Sequence, residues 1–240
     1  MDSENLIATL DPSEIVFFVG LAVFLVFVLV IYFVISNARD RKRSQAVTRV
    51  AQEIGFSFEG DKWSDPEQGP DLETALFQKG SVRYFENIMT GSSDELRASL
   101  FDYSFLTGGE RETHTNTQTV ATFSKSGFGL PEFELTPVNA SISNSQHTEI
   151  RFDSHPEFSQ RYQLHGPDEL GTREAFTPAL LSYLEGLDPK NRWRLEGTGE
   201  TLILYRAGQR VDPGELRRFF DEAATLAGVF FSVVGPRKTT

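Results

Sequence analysis

Near the start of the chain the alternation of polar and apolar positions stops. From Ile15 to Ile35 the run holds no charge, no proline and no strongly polar side chain. At the helical rise of about 1.5 Å per residue, such a run spans roughly 32 Å, against about 30 Å of bilayer hydrocarbon. Phe17, Phe18, Val19, Leu21, Val23, Phe24, Leu25, Phe27, Leu29 and Ile31 leave no polar face. A helix lying on a membrane surface needs one, so the pattern predicts a spanning helix.

After this run periodicity returns. Ala46, Val47, Val50, Ala51 and Ile54 recur at helical spacing, and Gly55 stands where that helix ends. Asp61, Ser64, Asp65, Pro66, Gly69 and Pro70 mark a loop before a short helix around Leu72, Leu76 and Phe77. Strands are predicted over 82–90, 95–106 and 117–124 as an antiparallel meander, with a fourth over 132–135. In the second, Phe101, Tyr103 and Phe105 alternate with Leu100, Asp102 and Ser104, which places the aromatics on one face and Asp102 on an opposite, solvated one.

A Ser-rich stretch over 139–147 suggests a boundary near residue 145. Beyond it, a strand over 149–152, a helix over 156–162 and a strand over 162–165 are expected. Thr177 suits an N-cap and Pro178 the first helical position of a helix to residue 187. Trp193–Glu196 and Thr201–Arg206 flank a Gly197-Thr198-Gly199 turn as a hairpin. A last helix opens near Asp212 and Pro213 and stops at Gly228.

The predicted class is α+β. The expected organisation is an extracytoplasmic segment 1–14, a transmembrane helix 15–36, a basic flank and juxtamembrane helix 37–54, a β-rich half 55–145 and an α+β half 146–240, with two similar halves as an open possibility.

Charge sets the orientation. Asp2, Glu4, Asp11 and Glu14 precede the apolar run, and Arg39, Arg41, Lys42 and Arg43 follow it. Basic flanks stay in the cytoplasm, which predicts N-out, C-in topology in an inner or cytoplasmic membrane, with the bulk of the chain cytoplasmic. A cleaved signal peptide fits poorly: its first region is basic and its core shorter. Residues 46–240 hold 19 Lys and Arg against 29 Asp and Glu. Such a surface disfavours nucleic acid, and the basic concentration visible in the sequence lies beside the bilayer. The chain has no cysteine, which removes disulfides, thiolate metal sites and a cysteine nucleophile.

Candidate chemistry is sparse. Glu110, Glu112 and His114 cluster within a predicted 108–116 hairpin loop and offer two oxygens and an imidazole to a metal, although charged hairpin tips are ordinary. Asp153 with His155, and His165 with Asp168, are acid and imidazole pairs that would serve acid–base chemistry if they converged; turn and capping roles compete. Asp102 beside Tyr103 is a further carboxylate candidate. The chain contains no GxSxG elbow, no phosphate loop, no HExxH and no kinase motif set, and Gly197 and Gly199 form only a GxG in a hairpin. No cofactor is expected.

Ile54-Gly55-Phe56, Phe101-Asp102-Tyr103, Gln118-Thr119-Val120, Leu130-Pro131-Glu132-Phe133 with Leu135 and Pro137, Phe152-Asp153, Phe176-Thr177-Pro178 and Leu204-Tyr205-Arg206 run through most of the chain. In these the sequence resembles a group of uncharacterised bacterial single-pass membrane proteins with a cytoplasmic domain of unknown function. The resemblance implies an anchored α+β domain and transfers no catalytic residue. The expectation is a membrane-anchored interaction or accessory domain, non-enzymatic, held to lipid by its helix and engaging a protein partner. The alternatives are a hydrolase-like or metal-dependent enzyme with scattered acidic and His residues, and an accessory subunit of a larger membrane complex.

Overall fold

The computed structural model describes residues 11–63, 74–109, 112–138 and 147–233. It comprises two units, one ending at Gln45 and the other beginning at Ala46. Helix α1 (Pro12–Ile54) starts in the first and ends in the second. Its Val16–Val34 stretch has a mean hydropathy of 3.1 and buries none of its residues. Among the described residues it is the one helix long and apolar enough to cross a membrane, and it is a candidate span on that ground. The helix passes through the basic flank without a break. Gly55, at φ +77°, ends it, and Phe56 N returns to Ala51 O at 2.7 Å, a left-handed C-terminal turn that glycine adopts freely.

In the second unit the described strands form a single antiparallel sheet. They are β1 (Ser57–Trp63), β2 (Ser81–Ser92), β3 (Leu96–Gly109), β4 (Glu112–Lys125), β5 (Leu130–Pro137), β6 (Tyr162–His165), β7 (Arg194–Gly199) and β8 (Thr201–Tyr205). The order across the sheet is β1-β2-β3-β4-β8-β7-β5-β6. The meander is present as β2-β3-β4, and β8 extends it by pairing Val120 with Tyr205. Strands from both sides of residue 145 therefore share one sheet, and among the described residues two similar halves are not seen.

Each sheet face has its own core. Phe85, Phe101, Tyr103, Phe105, Val120, Ile203 and Tyr205 lie under Leu76 and Phe77 of the short helix α2 (Ala75–Gln78). The other face carries Leu100, Ala121, Phe123, Leu135, Leu195, Leu202 and Leu204 in the larger cluster. That cluster takes in the end of α1 through Val47, Val50 and Ala51, together with α3 (Pro156–Arg161), α4 (Glu169–Ala175), α5 (Pro178–Gly186) and α6 (Leu216–Val233). Leu216, Phe219, Ala223, Leu226, Ala227 and Phe230 recur every three or four residues along α6 and are buried. The Phe133 ring stacks on Phe230 at 5.5 Å and 8° and meets Phe176 edge-on.

Several expectations need correction. Asp102 does point away from Phe101 and Tyr103, but there Asn87, Thr119 and Arg210 enclose its carboxylate, so Asp102 is 2% exposed rather than solvated. The 108–116 loop is mostly strand: β4 begins at Glu112, and His114 pairs with Thr107. Segment 149–152 contributes only an isolated bridge from Glu149 to His165. The last helix runs through Gly228 to Val233, because Phe230 and Phe231 anchor its final turn in the core. Thr177 does cap α5, accepting from Leu180 N. Of the loop predicted over 61–70, residues 61–63 are the end of β1, paired with β2, and the rest lies outside the described residues, as do Leu72 and most of the Ser-rich stretch.

Candidate functional site

A cleft of about 560 Å³ opens beside α2 on the first face of the sheet. Register builds its floor. Glu134 of β5 stands opposite His165 of β6 and opposite Glu196 of β7, so three ionisable residues form one row across three strands. Antiparallel partners directly opposite share a face, which is how residues 134, 165 and 196 come together. Gly197 admits the Phe133 ring here; a Cβ at that position would lie 2.1 Å from Phe133 Cε1.

Glu196 lies at the buried end of the row. Its Oε2 accepts from Leu76 N at 2.9 Å and its Oε1 from the Tyr205 hydroxyl at 2.7 Å. Burial pushes the Glu196 carboxyl above its ordinary range, against the opposing pull of those hydrogen bonds and of Lys79. The Tyr205 hydroxyl is also driven well up, by burial first and then by the Glu196 charge. The Tyr103 hydroxyl, likewise buried, is pushed up to about 12 and has no hydrogen-bond partner among the described residues. The carboxyl thus serves as the acceptor that fastens the start of α2 to the sheet. Nearer the mouth, Lys79 Nζ donates to Glu134 Oε1 at 3.2 Å. His165 Nδ1 lies 2.9 Å from the His147 carbonyl; a carbonyl only accepts, so Nδ1 is the donor.

The sequence candidates are dispersed. Asp102 accepts from Asn87 Nδ2 and Thr119 Oγ1, each at 2.9 Å, and from Arg210 Nε at 3.0 Å, an arrangement that ties β2, β3, β4 and the 210 loop together. Such a saturated carboxylate is structural. His165 borders the cleft, whereas Asp168 caps α4 through Gly171 N at 2.9 Å. His155 stands at the start of α3, with Nδ1 3.0 Å from Ser154 Oγ and Nε2 3.4 Å from Ser182 Oγ. Asp153 is exposed, and the described contacts of His155 include no carboxylate, so the Ser182 and His155 pair lacks the orienting acid of a hydrolytic triad. Glu112 Oε1 and His114 Nε2 are 3.4 Å apart on an exposed part of β4, and Glu110 lies outside the described residues. Among the described residues no three His, Asp or Glu side chains gather at metal-binding distance.

Lys79, Glu134 and Glu196 were not singled out in the sequence. Glu132, Glu134 and Thr136 alternate with apolar neighbours and read as an ordinary amphipathic strand; only the long-range register brings Glu134 beside Glu196 and His165.

No protein-family model matches the chain, and no curated protein matches its sequence. The fold has a solved counterpart. It is similar to the crystal structure of the mycobacterial trehalose monomycolate transport factor A, TtfA, with a TM-score of 0.59 and 10% identity. The likeness covers 83% of this chain and 99% of the other. At that identity it establishes a shared fold, a mixed α and β domain with an antiparallel sheet, and assigns no residue a role.

Proposed function

We propose that this chain is a membrane-anchored accessory factor in transport across or within the membrane, acting through protein contact rather than catalysis. The observation that carries the reading is one chain that joins a helix apolar all round to a domain with the fold of a transport factor. The anchor spans residues 15–36 with the N-terminus outside, on the strength of Arg39, Arg41, Lys42 and Arg43 after it and acids before it. The domain then works at the cytoplasmic face, where anchoring raises its effective concentration toward an integral membrane partner. The lipid conjugate in the mycobacterial factor's name suggests a lipid as the transported class. The scattered Asp102, Asp153, His155 and His165 favour this reading over a hydrolase, since each has a structural contact or stands exposed.

Depletion of the chain in its native cell, followed by analysis of envelope lipids, tests the proposal. An exported lipid should accumulate inside, with export restored by the full chain and not by a variant lacking 15–35. Unaltered lipid export, or rescue by the unanchored variant, overturns it.

A further inference from the structure

The domain from Ala46 onward is strongly acidic, yet in one of its pockets every charged residue among the described lining is a cation. A cavity of about 280 Å³ lies where β7 begins and β8 ends, and Lys190, Arg192, Arg194 and Arg206 line it with no carboxylate among the lining residues. In sequence these four are spread over 17 positions among acids; Arg194 opposite Tyr205 sets the start of β7, and the turn before it, beside the end of β8, where Arg206 follows.

Two of the four are held in place. Arg194 is 6% exposed. The Arg206 guanidinium lies over the Trp193 ring at 4.4 Å and the Phe219 ring at 5.5 Å, and one nitrogen donates to Glu222 Oε2 at 2.5 Å. That bond occupies one of its five donors, so much of its capacity stays unused. Lys190 and Arg192 are exposed and have no ion pair among the described residues. Lys190 stands in a turn shaped by Asp188 Oδ1, which accepts from its backbone N–H at 2.9 Å. Arg192 sits at φ +48°, ψ +39°, a left-handed conformation that glycine adopts most easily. An arginine there gains nothing for the turn, and Arg192 is one of the four cations among the residues that line the cavity.

We propose that this pocket binds a phosphate group. Planar guanidinium forks match phosphate oxygens, a lysine adds a compact charge, and a surface otherwise of the opposite sign keeps the cationic field local. The phosphate belongs either to a lipid headgroup or to a free phosphorylated small molecule, and both present the same dianionic or monoanionic oxygens. The inference stands apart from the accessory role: the pocket would bind phosphate whatever the domain's partner is.

Trp193 supplies the readout, because the Arg206 guanidinium rests on its ring. Full-length protein in an uncharged detergent, with Trp63→Phe leaving Trp193 as the single emitter, is titrated at constant ionic strength with inorganic phosphate and, separately, with dihexanoyl phosphatidylglycerol below its micellar concentration. A saturable change in Trp193 emission is expected. Tighter saturation by the phospholipid identifies a headgroup site, and tighter saturation by phosphate a free-phosphate site. Arg192→Gly should weaken binding about tenfold, the loss of one charge-assisted contact, while its thermal midpoint holds or rises because glycine suits that backbone. Lys190→Gln should weaken it similarly. No saturable change with either probe, or binding unaffected by Arg192→Gly and Lys190→Gln, overturns the proposal.

Discussion

Asp102 gives the sharpest test of the structural account, because the sequence offered it as a catalytic candidate and the fold makes it a tie. Its carboxylate receives three hydrogen bonds while 2% exposed, one of them from the Arg210 guanidinium. Asp102→Ala removes the acceptor and leaves the Asn87 amide, the Thr119 hydroxyl and the Arg210 charge to be satisfied elsewhere. Arg210 is 32% exposed and keeps Glu86 at 3.6 Å, so the cost falls mainly on the two stranded buried donors and comes to about 3–5 kcal/mol in all. A domain of this size loses about 2–4 °C in thermal midpoint per kcal/mol, so the midpoint should fall by about 6–20 °C. Asp102→Asn keeps one acceptor oxygen and turns an N–H₂ toward a donor, for a loss of about 2 kcal/mol. In a cycle with Arg210→Met, the coupling should be about 1–3 kcal/mol. Trp emission during a thermal ramp of the full-length protein in detergent reads all of these. An Asp102→Ala midpoint within about 1 °C of wild type refutes the reasoning.

Further outcomes follow from the same contacts. Burial raises the Glu196 carboxyl, so the folded state keeps its proton to higher pH than the unfolded chain does. The resulting penalty is absent below the unfolded value, grows as pH rises to the folded value, and is constant above it. Glu196→Gln should therefore gain stability relative to wild type as pH is raised from 4 toward 8 in thermal ramps; a difference that stays flat with pH counts against a strained carboxyl. Gly197→Ala should cost about 1–3 kcal/mol, because the Phe133 ring that a Cβ would strike is itself wedged between Phe176 and Phe230, and chemical unfolding would show it. Thr177→Ala should lower stability by about 1 kcal/mol through loss of the α5 cap, whereas Thr177→Ser should leave the thermal midpoint almost unchanged.

What the sequence made legible was local. The apolar run, the Thr177-Pro178 start of α5 and the alternation in β3 each depend on neighbours within a few residues, and each element formed where its pattern lay. Strand β1 was missed because Ser-Phe-Glu-Gly-Asp-Lys-Trp has few β-branched residues and carries a bulge at Phe58 and Gly60. Helix α4 escaped because it is seven residues long with Gly171 inside it, and it forms with the help of Asp168. Gly228 read as a stop, but the burial of Phe230 outweighs the propensity cost of one glycine, about 1 kcal/mol. The cleft and the cationic pocket were hidden for a common reason. Both depend on which strands become neighbours: 134 beside 165 and 196 in one case, and 194 beside 205 in the other. Alternation shows that a strand has two faces and does not show what will lie across from either.

The central claim is that the anchored domain works as part of a membrane transport assembly. Native mass spectrometry of the full-length chain, extracted in mild detergent from its own membranes, measures this most directly. The account expects a defined stoichiometric complex with an integral membrane transport protein, lost when residues 46–240 are removed. A chain that appears free of protein partners, with nothing beyond lipid attached, would contradict it.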